Sequence, residues 1–336
     1  MRIEFEPRME DGIGISGAAF RLPRNRVSVR ELRTDYESSL QPGRASDLLI
    51  PKLRQVSLDE VNHVHVFNGE PEGSLALDAI REILETRRVA GKEIGLLIDY
   101  STASRAANGI SLCYKLQRDL GADKALTLAV NNGSCASFQL ALQTAVAFLK
   151  SRDEIQYAIL FSEDRTRGKR FHPPMSVLGD GASALLLERN AQRGLILDQA
   201  SNSMGKFCDI LGVNHWNETN FDLSEFENRV VPLHFKITRE LVLRVLERQR
   251  LTLKDIDLVL YQNMSGNDFR GLAAALGVDI DRIYLDGLEG HGHIFGSDLV
   301  INFCLARRDG KLNPGSRSLL ISSGAGFSWA VTLIQN

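Results

Sequence analysis

One cysteine stands where a strand pattern gives way to a helix pattern. Cys135 lies in the run NNGSCAS at 131–137, after an apolar stretch at 125–130 and before a helical pattern at 138–150. The free amide groups and the positive end of the helix dipole favour a thiolate, which is the nucleophilic form of the side chain. This placement predicts covalent acyl transfer through Cys135. The alternative is a small, buried and inert cysteine at a tight strand–helix contact.

Three other segments bear on that choice. The chain contains GAAFRLP at 17–23, LGDGASALLL at 178–187 and LLISSGAGFSW at 319–329, in that order around Cys135. With a cysteine at a helix start between the first and second, these segments resemble the thiolase superfamily, and within it the β-ketoacyl-acyl-carrier-protein synthase III-like enzymes. The resemblance spans nearly the whole chain. It makes a catalytic role the favoured interpretation of Cys135.

The elements that must hold these residues follow an alternating pattern, which indicates an α/β layered fold. Strands are predicted at 13–20, 94–99, 125–130, 184–187, 195–201 and 256–261, and helices at 74–85, 138–150, 237–250 and 301–308. The resemblance implies a duplicated thiolase-like fold with α-β-α-β-α layers. Its two halves are predicted at 1–190, which carries Cys135, and at 191–336.

Composition is that of a soluble enzyme. The 336 residues are 43% hydrophobic, enough for a sizeable core, and a net charge of −2 gives no electrostatic case for nucleic acid. The charged segment at 1–10 lacks the apolar centre of a signal peptide, so we expect a cytoplasmic location and no membrane span. The four cysteines have neither close pairing nor CxxC spacing, which argues against a disulfide framework or a zinc site.

The partners of Cys135 depart from the usual pattern of the resembled enzymes. Condensing members place a His within His-Gln-x-Asn and an Asn within His-Gly-Asn, and the matching stretches here are YQNMS at 261–265 and HGHIFGSD at 291–298. The usual His becomes Gln262 and the usual Asn becomes His293. Both replacements still carry a hydrogen-bond donor. One interpretation is therefore that Gln262 and His293 stabilise a thioester enolate in place of the usual His and Asn.

His293 also offers a base, which an Asn cannot. An imidazole with a pKa near 6.5 suits proton removal at neutral pH. Asp298 follows five residues later and can orient the imidazole, which predicts a Cys135, His293 and Asp298 arrangement of nucleophile, base and orienter. The spacing resembles a subgroup that transfers acyl groups to oxygen or nitrogen nucleophiles, although the second His of that subgroup is missing at Gln262. Two alternatives stay open: Asp298 as a helix cap, and His291 as a structural residue.

Other positions of the matched segments are predicted to surround the substrate. The resemblance assigns the oxyanion hole to the backbone amides of Cys135 and Ala325. It also implies that Gly324 and Gly326 let the backbone approach the acyl thioester, although a tight turn explains them equally. Asn263, beside Gln262, is predicted to contact the substrate.

Three functions follow as hypotheses. The first is an acyltransferase that takes an acyl group from an acyl carrier protein or coenzyme A and passes it to an alcohol or amine. The second is a decarboxylating carbon–carbon condensing enzyme with a rearranged site. The third is a non-catalytic partner subunit, against which the intact Cys135 argues.

Partners and cofactors complete the expectations. We expect no cofactor beyond the substrate thioester and no metal, because the pairs His63 with His65 and His291 with His293 lack a clear third ligand. The glycine run at 12–17 matches a dinucleotide motif but is not followed by a helix start. The resemblance implies a homodimer formed through the strand at 125–130.

Overall fold

A computed structural model describes residues 12–39, 61–102, 111–166, 170–172, 176–208, 210, 226–325 and 327–336. None of the helices in these ranges combines the length and the apolar character needed to span a bilayer. The predicted substrate-binding residue Gly326 lies outside the described residues.

The described chain is organised around a nine-stranded sheet in the order β11-β12-β13-β10-β1-β9-β6-β4-β5. Two short strand pairs, β2 with β3 and β7 with β8, lie outside it. The strands are β1 (Gly14–Arg21), β2 (Asn25–Ser28), β3 (His63–Val66), β4 (Ile94–Asp99), β5 (Leu126–Ala129), β6 (Tyr157–Asp164), β7 (Phe171–His172), β8 (Ser176–Val177), β9 (Gly181–Glu188), β10 (Leu195–Ser203), β11 (Leu258–Tyr261), β12 (Arg317–Gly324) and β13 (Ser328–Gln335).

Helices cover both faces of this sheet. They are α1 (Val29–Ser39), α2 (Ser74–Arg87), α3 (Cys113–Leu120), α4 (Ser137–Ser151), α5 (Val231–Arg248), α6 (Gly266–Leu276), α7 (Asp286–His291) and α8 (Ser297–Arg308). Helices α4 and α8 are central, since most residues of each are buried.

Alternation along the strands divides the interior into three apolar cores. In β4, Leu96 faces a central core shared with α4 and α8, whereas Leu97 faces an outer core with α2 and α3. In β12, Leu320 faces the same central core and Leu319 an outer core with α5 and α6. This period of two is the one that strand geometry dictates. The result is the predicted α-β-α-β-α layering, with α4 and α8 as the middle layer.

The two predicted halves meet along a narrow joint. Strand β1 pairs with β10 only at Gly14 and Leu195, while β1 pairs with β9 along its length. The strands on either side of this joint come from the first and the second part of the chain. The exact division at 190 and 191 stays a prediction, because β9 ends at Glu188 and β10 begins at Leu195.

The predicted elements are present, and the differences lie at their ends. The helix predicted at 301–308 begins at Ser297, because Asp298 and Asn302 are polar residues on a fully buried face and conceal the apolar pattern. The helix predicted at 237–250 begins at Val231, with a proline in its first turn. The glycine run at 12–17 leads into β1, so no helix starts there.

Candidate active site

Cys135 lies in a tight turn between β5 and α4. A 3₁₀ turn spans Ser134–Ala136, and α4 begins at Ser137. Ser134 has φ of 51°, a left-handed conformation that costs a non-glycine residue of the order of 1–3 kcal/mol unless its surroundings hold it. Thr102 supplies such a hold, because its hydroxyl donates to the Ser134 carbonyl at 3.0 Å. The turn therefore presents a half-buried, free thiol at the start of a helix.

The fold brings His293 and Asp298 to this thiol. Sγ of Cys135 lies 3.0 Å from Nε2 of His293, and Nδ1 of His293 lies 2.5 Å from Oδ2 of Asp298. Because a carboxylate only accepts, Nδ1 carries a proton and Nε2 faces the sulfur. The three predicted residues thus form a continuous relay from sulfur to imidazole to carboxylate. This is the geometry of a nucleophile, a base and an orienting group.

Asp298 is held by backbone amides as well as by the imidazole. It is fully buried, and it accepts hydrogen bonds from the amide of Ile294 at 2.6 Å and from the amide of Asn263 at 2.7 Å. None of the described hydrogen bonds of the Asp298 carboxylate goes to a backbone amide within α8. The helix-cap interpretation is therefore wrong, because the carboxylate turns away from the helix amides toward His293.

The surroundings of His293 favour its charged form. Burial lowers the pKa of His293, but the Asp298 carboxylate and the Cys135 sulfur raise it by more, so the pKa lies well above 6.5. The Asp298 carboxylate offsets the cost of burying a charged imidazole, a cost that a lone buried charge would bear in full. The imidazolium form of His293 is therefore favoured beside the sulfur of Cys135.

His291, two residues away, has the opposite environment. Burial and the nearby His65 lower the pKa of His291 to about 4. Its ring packs near Phe20 and His65, with centroids 6.0 and 6.2 Å apart, and its buried Nδ1 has no partner among the described residues. A neutral ring packed in this way fits the structural role predicted for it.

Gln262 is fixed by Ser323 at the end of β12. Its amide oxygen accepts from the Ser323 amide at 3.0 Å, and its amide nitrogen donates to the Ser323 hydroxyl at 3.2 Å. Among the described contacts none joins Gln262 to Cys135. Its predicted catalytic role therefore rests on the remaining amide proton alone.

The substrate contact predicted for Asn263 stays a prediction, and the described contacts of its side chain are all within the protein. The Asn263 side chain is fully buried, donates to the Gly287 carbonyl at 3.2 Å and accepts from Asn302 at 2.9 Å. Its side chain points away from that of Gln262, because successive side chains after a strand point in different directions. Asn263 contributes to the site through its backbone amide on Asp298.

Gly324 lies directly against the Cys135 turn. A Cβ atom at Gly324 would come within 1.8 Å of the Gly133 carbonyl oxygen and 2.9 Å of the Ala136 nitrogen, so only glycine fits there. The next residue is Ala325, whose amide is therefore carried beside the turn that contains Cys135. This proximity is compatible with the predicted oxyanion hole, whose two donors stay a prediction.

Two residues of this region escaped the sequence analysis. Thr102 acts across 32 positions on Ser134, and no local pattern marks it. Asn302 did have a signal, since it follows Asp298 by four positions and so shares its helix face. Within the part of the chain that the structure describes, no group of three or more His, Cys, Asp or Glu residues is placed to hold a metal ion.

Comparison with known proteins finds similar proteins both by sequence and by fold. Residues 246–336 match the family described as 3-oxoacyl-[acyl-carrier-protein (ACP)] synthase III C terminal. A β-ketoacyl-[acyl-carrier-protein] synthase III of Pectobacterium atrosepticum is 27% identical over 273 residues, which cover 79% of this chain and 84% of that protein.

Solved structures extend the likeness to almost the whole fold. The 3-oxoacyl-[acyl-carrier-protein] synthase III of Aquifex aeolicus superimposes with a TM-score of 0.79 at 18% identity, covering 97% of this chain and all of that one (100%). A protein named ChlB3, an acyltransferase, gives 0.79 at 22% identity, covering 96% and 97%. At these identities the structures establish the fold alone. Sequence and fold together make the chain similar to the β-ketoacyl-acyl-carrier-protein synthase III enzymes, and residues 246–336 match the C-terminal domain of that family.

Proposed function

We propose that the protein is an acyltransferase that loads an acyl group onto Cys135 and passes it to an alcohol or an amine. The observation that carries this proposal is the relay from Cys135 through His293 to Asp298, at 3.0 and 2.5 Å. The relay puts a proton acceptor where condensing relatives have an Asn. A base at that position serves an acceptor that must lose a proton, and a hydroxyl or amino group is such an acceptor.

In the first half-reaction the Cys135 thiolate attacks the carbonyl carbon of an acyl thioester. The bond from that carbon to the donor sulfur breaks, and the donor leaves as a thiol after taking the proton on Nε2 of His293. The amides of Cys135 and Ala325 stabilise the oxyanion that forms between these events. The donor is a thioester of an acyl carrier protein, which the names of the cited relatives print, or of coenzyme A, which offers the same thioester chemistry.

In the second half-reaction His293 acts as the base. The imidazole is neutral when the acceptor arrives, because Nε2 has given its proton to the departing donor thiol. Acylation has also removed the sulfur charge that helps to raise the pKa of His293. Nε2 then takes the proton of the hydroxyl or amino group as its oxygen or nitrogen attacks the acyl carbon. The carbon–sulfur bond to Cys135 breaks, which restores the thiolate and the imidazolium.

The competing function is decarboxylating condensation, which the names of the sequence relatives favour. That reaction needs two donors on the thioester oxygen as an enolate forms. One amide proton of Gln262 is donated to the Ser323 hydroxyl, and the Nδ1 proton of His293 is donated to the Asp298 carboxylate, so neither proton is free for the thioester oxygen. These contacts leave Nε2 of His293 facing the substrate, and once neutral it can accept the proton that an alcohol or amine must lose, a step that condensation does not need.

Product analysis tests the proposal. The protein is loaded with acyl coenzyme A or acyl carrier-protein donors and then given alcohols or amines, and we expect an ester or amide without release of carbon dioxide. The variant Gln262→His with His293→Asn restores the condensing residues and should transfer less. The proposal is overturned if the parent transfers to no alcohol or amine while the double variant forms a 3-oxo product from a malonyl thioester, with carbon dioxide, at least as fast as the parent.

We also propose that two copies associate through β5. This strand ends the sheet, and Leu126 on it is 40% exposed, so pairing with a second β5 would cover an open edge. Light scattering at micromolar concentration should give the mass of a dimer. A monomer under those conditions would contradict the proposal.

A further inference from the structure

A pair of buried asparagines joins helix α8, which carries Asp298, to the loop after β11. Asn302 lies one helical turn beyond Asp298 on α8, and both are fully buried on the same face. The Asn302 amide donates to the Tyr261 carbonyl at 2.8 Å and to the Asn263 side-chain oxygen at 2.9 Å. The Asn263 amide group in turn donates to the Gly287 carbonyl at 3.2 Å.

The hydrogen-bond partners of these two side-chain amides determine where each oxygen and each nitrogen lies. Asn302 faces two oxygen acceptors, so its nitrogen must be on that side. Asn263 faces the Asn302 donor on one side and a carbonyl on the other, so its oxygen and nitrogen are also assigned. The opposite face of Asn302 lies against Gly287, where a Cβ atom would come within 1.7 Å of the Asn302 oxygen. The pair is therefore locked between α7, α8 and the loop.

We infer that Asn302 is a positioning residue, which fixes the Asn263 peptide so that its amide holds Asp298, and through Asp298 the ring of His293. The Asn302 nitrogen donates both to the Tyr261 carbonyl and to the Asn263 side chain. These two acceptors lie on either side of the Asn263 backbone amide in the chain, so the contacts hold that amide in place. That amide then lies 2.7 Å from the oxygen of Asp298 that accepts from His293. Helix α8 thus carries the Asp298 carboxylate and, through Asn302, also holds the Asn263 amide that donates to this carboxylate.

This inference rests on the proposed function for its role in catalysis, but its test does not require an acyl acceptor. The rate at which iodoacetamide alkylates Cys135 is measured against pH, because only the thiolate reacts. Peptide mapping scores Cys135 separately from the exposed Cys208. The charged groups that act on His293 are Cys135 from the 3₁₀ turn, Asp298 from α8 and, more weakly, Asp268 from α6.

The test variant is Asn302→Leu, and its matched control is Gln139→Leu. Gln139 is also a fully buried amide on a central helix, and it also donates to a strand carbonyl, that of Leu320 at 2.7 Å. A loosened Asp298 stabilises the imidazolium less, so Asn302→Leu should move the alkylation profile to higher pH. We expect about half a pH unit, or about a threefold lower rate below the midpoint. The control should keep the parent profile.

If Asn302→Leu does not fold, the alkylation profile of Asn263→Ala provides a second test. It keeps the backbone donor to Asp298 and removes both anchors of the side chain, so we expect a shift in the same direction. The inference is overturned if a folded variant of either kind has the parent profile. It is also overturned if Gln139→Leu shifts the profile as much, since the effect would then be general loosening of the interior. Absence of transfer to alcohols or amines would contradict the proposed function and leave these profiles unaffected.

Discussion

The two sides of the candidate site are built in different ways. The nucleophile side is local: a strand, a tight turn with a left-handed Ser134 and the start of α4 place Cys135 within a dozen residues of chain. The base side is assembled from distant parts: His293 and Asp298 are positioned by contacts to Asn263, and Asn263 by contacts to Asn302 and Gly287.

This difference has a functional consequence. A nucleophile set by local backbone geometry suits any reaction of this fold that begins with an acyl-cysteine. In the proposed function the base side decides what happens to the acyl group next, because it determines whether a proton is accepted or a carbonyl oxygen is stabilised. Chemistry can therefore change through residues around Gln262 and His293 while the Cys135 turn stays as it is.

Removing the nucleophile should have the largest effect. Cys135→Ala should abolish both acyl labelling and turnover, because no other thiol is placed to replace it. Burial raises the pKa of Cys113 and of Cys304 to about 12, so neither supplies a thiolate near neutral pH. Intact mass with peptide mapping makes the measurement, and Cys304→Ala is the control that should label normally. Labelling of Cys113, Cys208 or Cys304 in place of Cys135 would refute the assignment.

Removing the orienting carboxylate should have the next largest effect. Asp298→Asn keeps the shape but brings an amide against His293, and it loses the charge that stabilises the imidazolium. We expect turnover to fall by about 100- to 10,000-fold, the range typical of acid–base groups. Steady-state rates measure this, with the exposed Asp309→Asn as a control. A loss of less than about threefold would mean that the base side does not depend on Asp298.

The local character of the nucleophile side explains why it was predictable from sequence. Cys135 was identified because a strand, a short turn and a helix adjoin it in the chain. His293 and Asp298 were found because their spacing matches a motif. The contacts of Asn302 and the true start of α8 are not predictable in this way. In a sequence, a polar residue on a buried helix looks the same as one on an exposed helix face. The contacts of Asn263 are also not predictable from sequence, because its partners Gly287 and Asn302 lie far away in the chain.

A smaller effect distinguishes the two histidines of the base side. His291, with a pKa near 4, takes up a proton more readily when unfolded, so its contribution to stability is lost as pH falls from about 6.5 toward 4. The raised pKa of His293 has the opposite sign: its contribution is present below about 6.5 and is lost as pH rises through the folded value.

His291→Gln should therefore make the free energy of unfolding fall less steeply between pH 6.5 and 4, by about 1–2 kcal/mol over that range once partial exposure is allowed for. Urea unfolding at a series of pH values measures this. A variant with the same or a steeper decline would show that the neutral, packed state of His291 is incorrectly assigned.

The most direct test of the proposed base is the fate of the acyl group in His293→Asn. This variant keeps a donor beside Cys135 but removes the proton acceptor, so acyl-Cys135 should form and then persist when an alcohol or amine is added. We expect its transfer to slow by about 100- to 10,000-fold, while His291→Asn transfers at the parent rate. Time-resolved intact mass after the acceptor is added gives both rates. An acyl-enzyme of His293→Asn that is consumed as fast as that of the parent would contradict the role of His293 as the base.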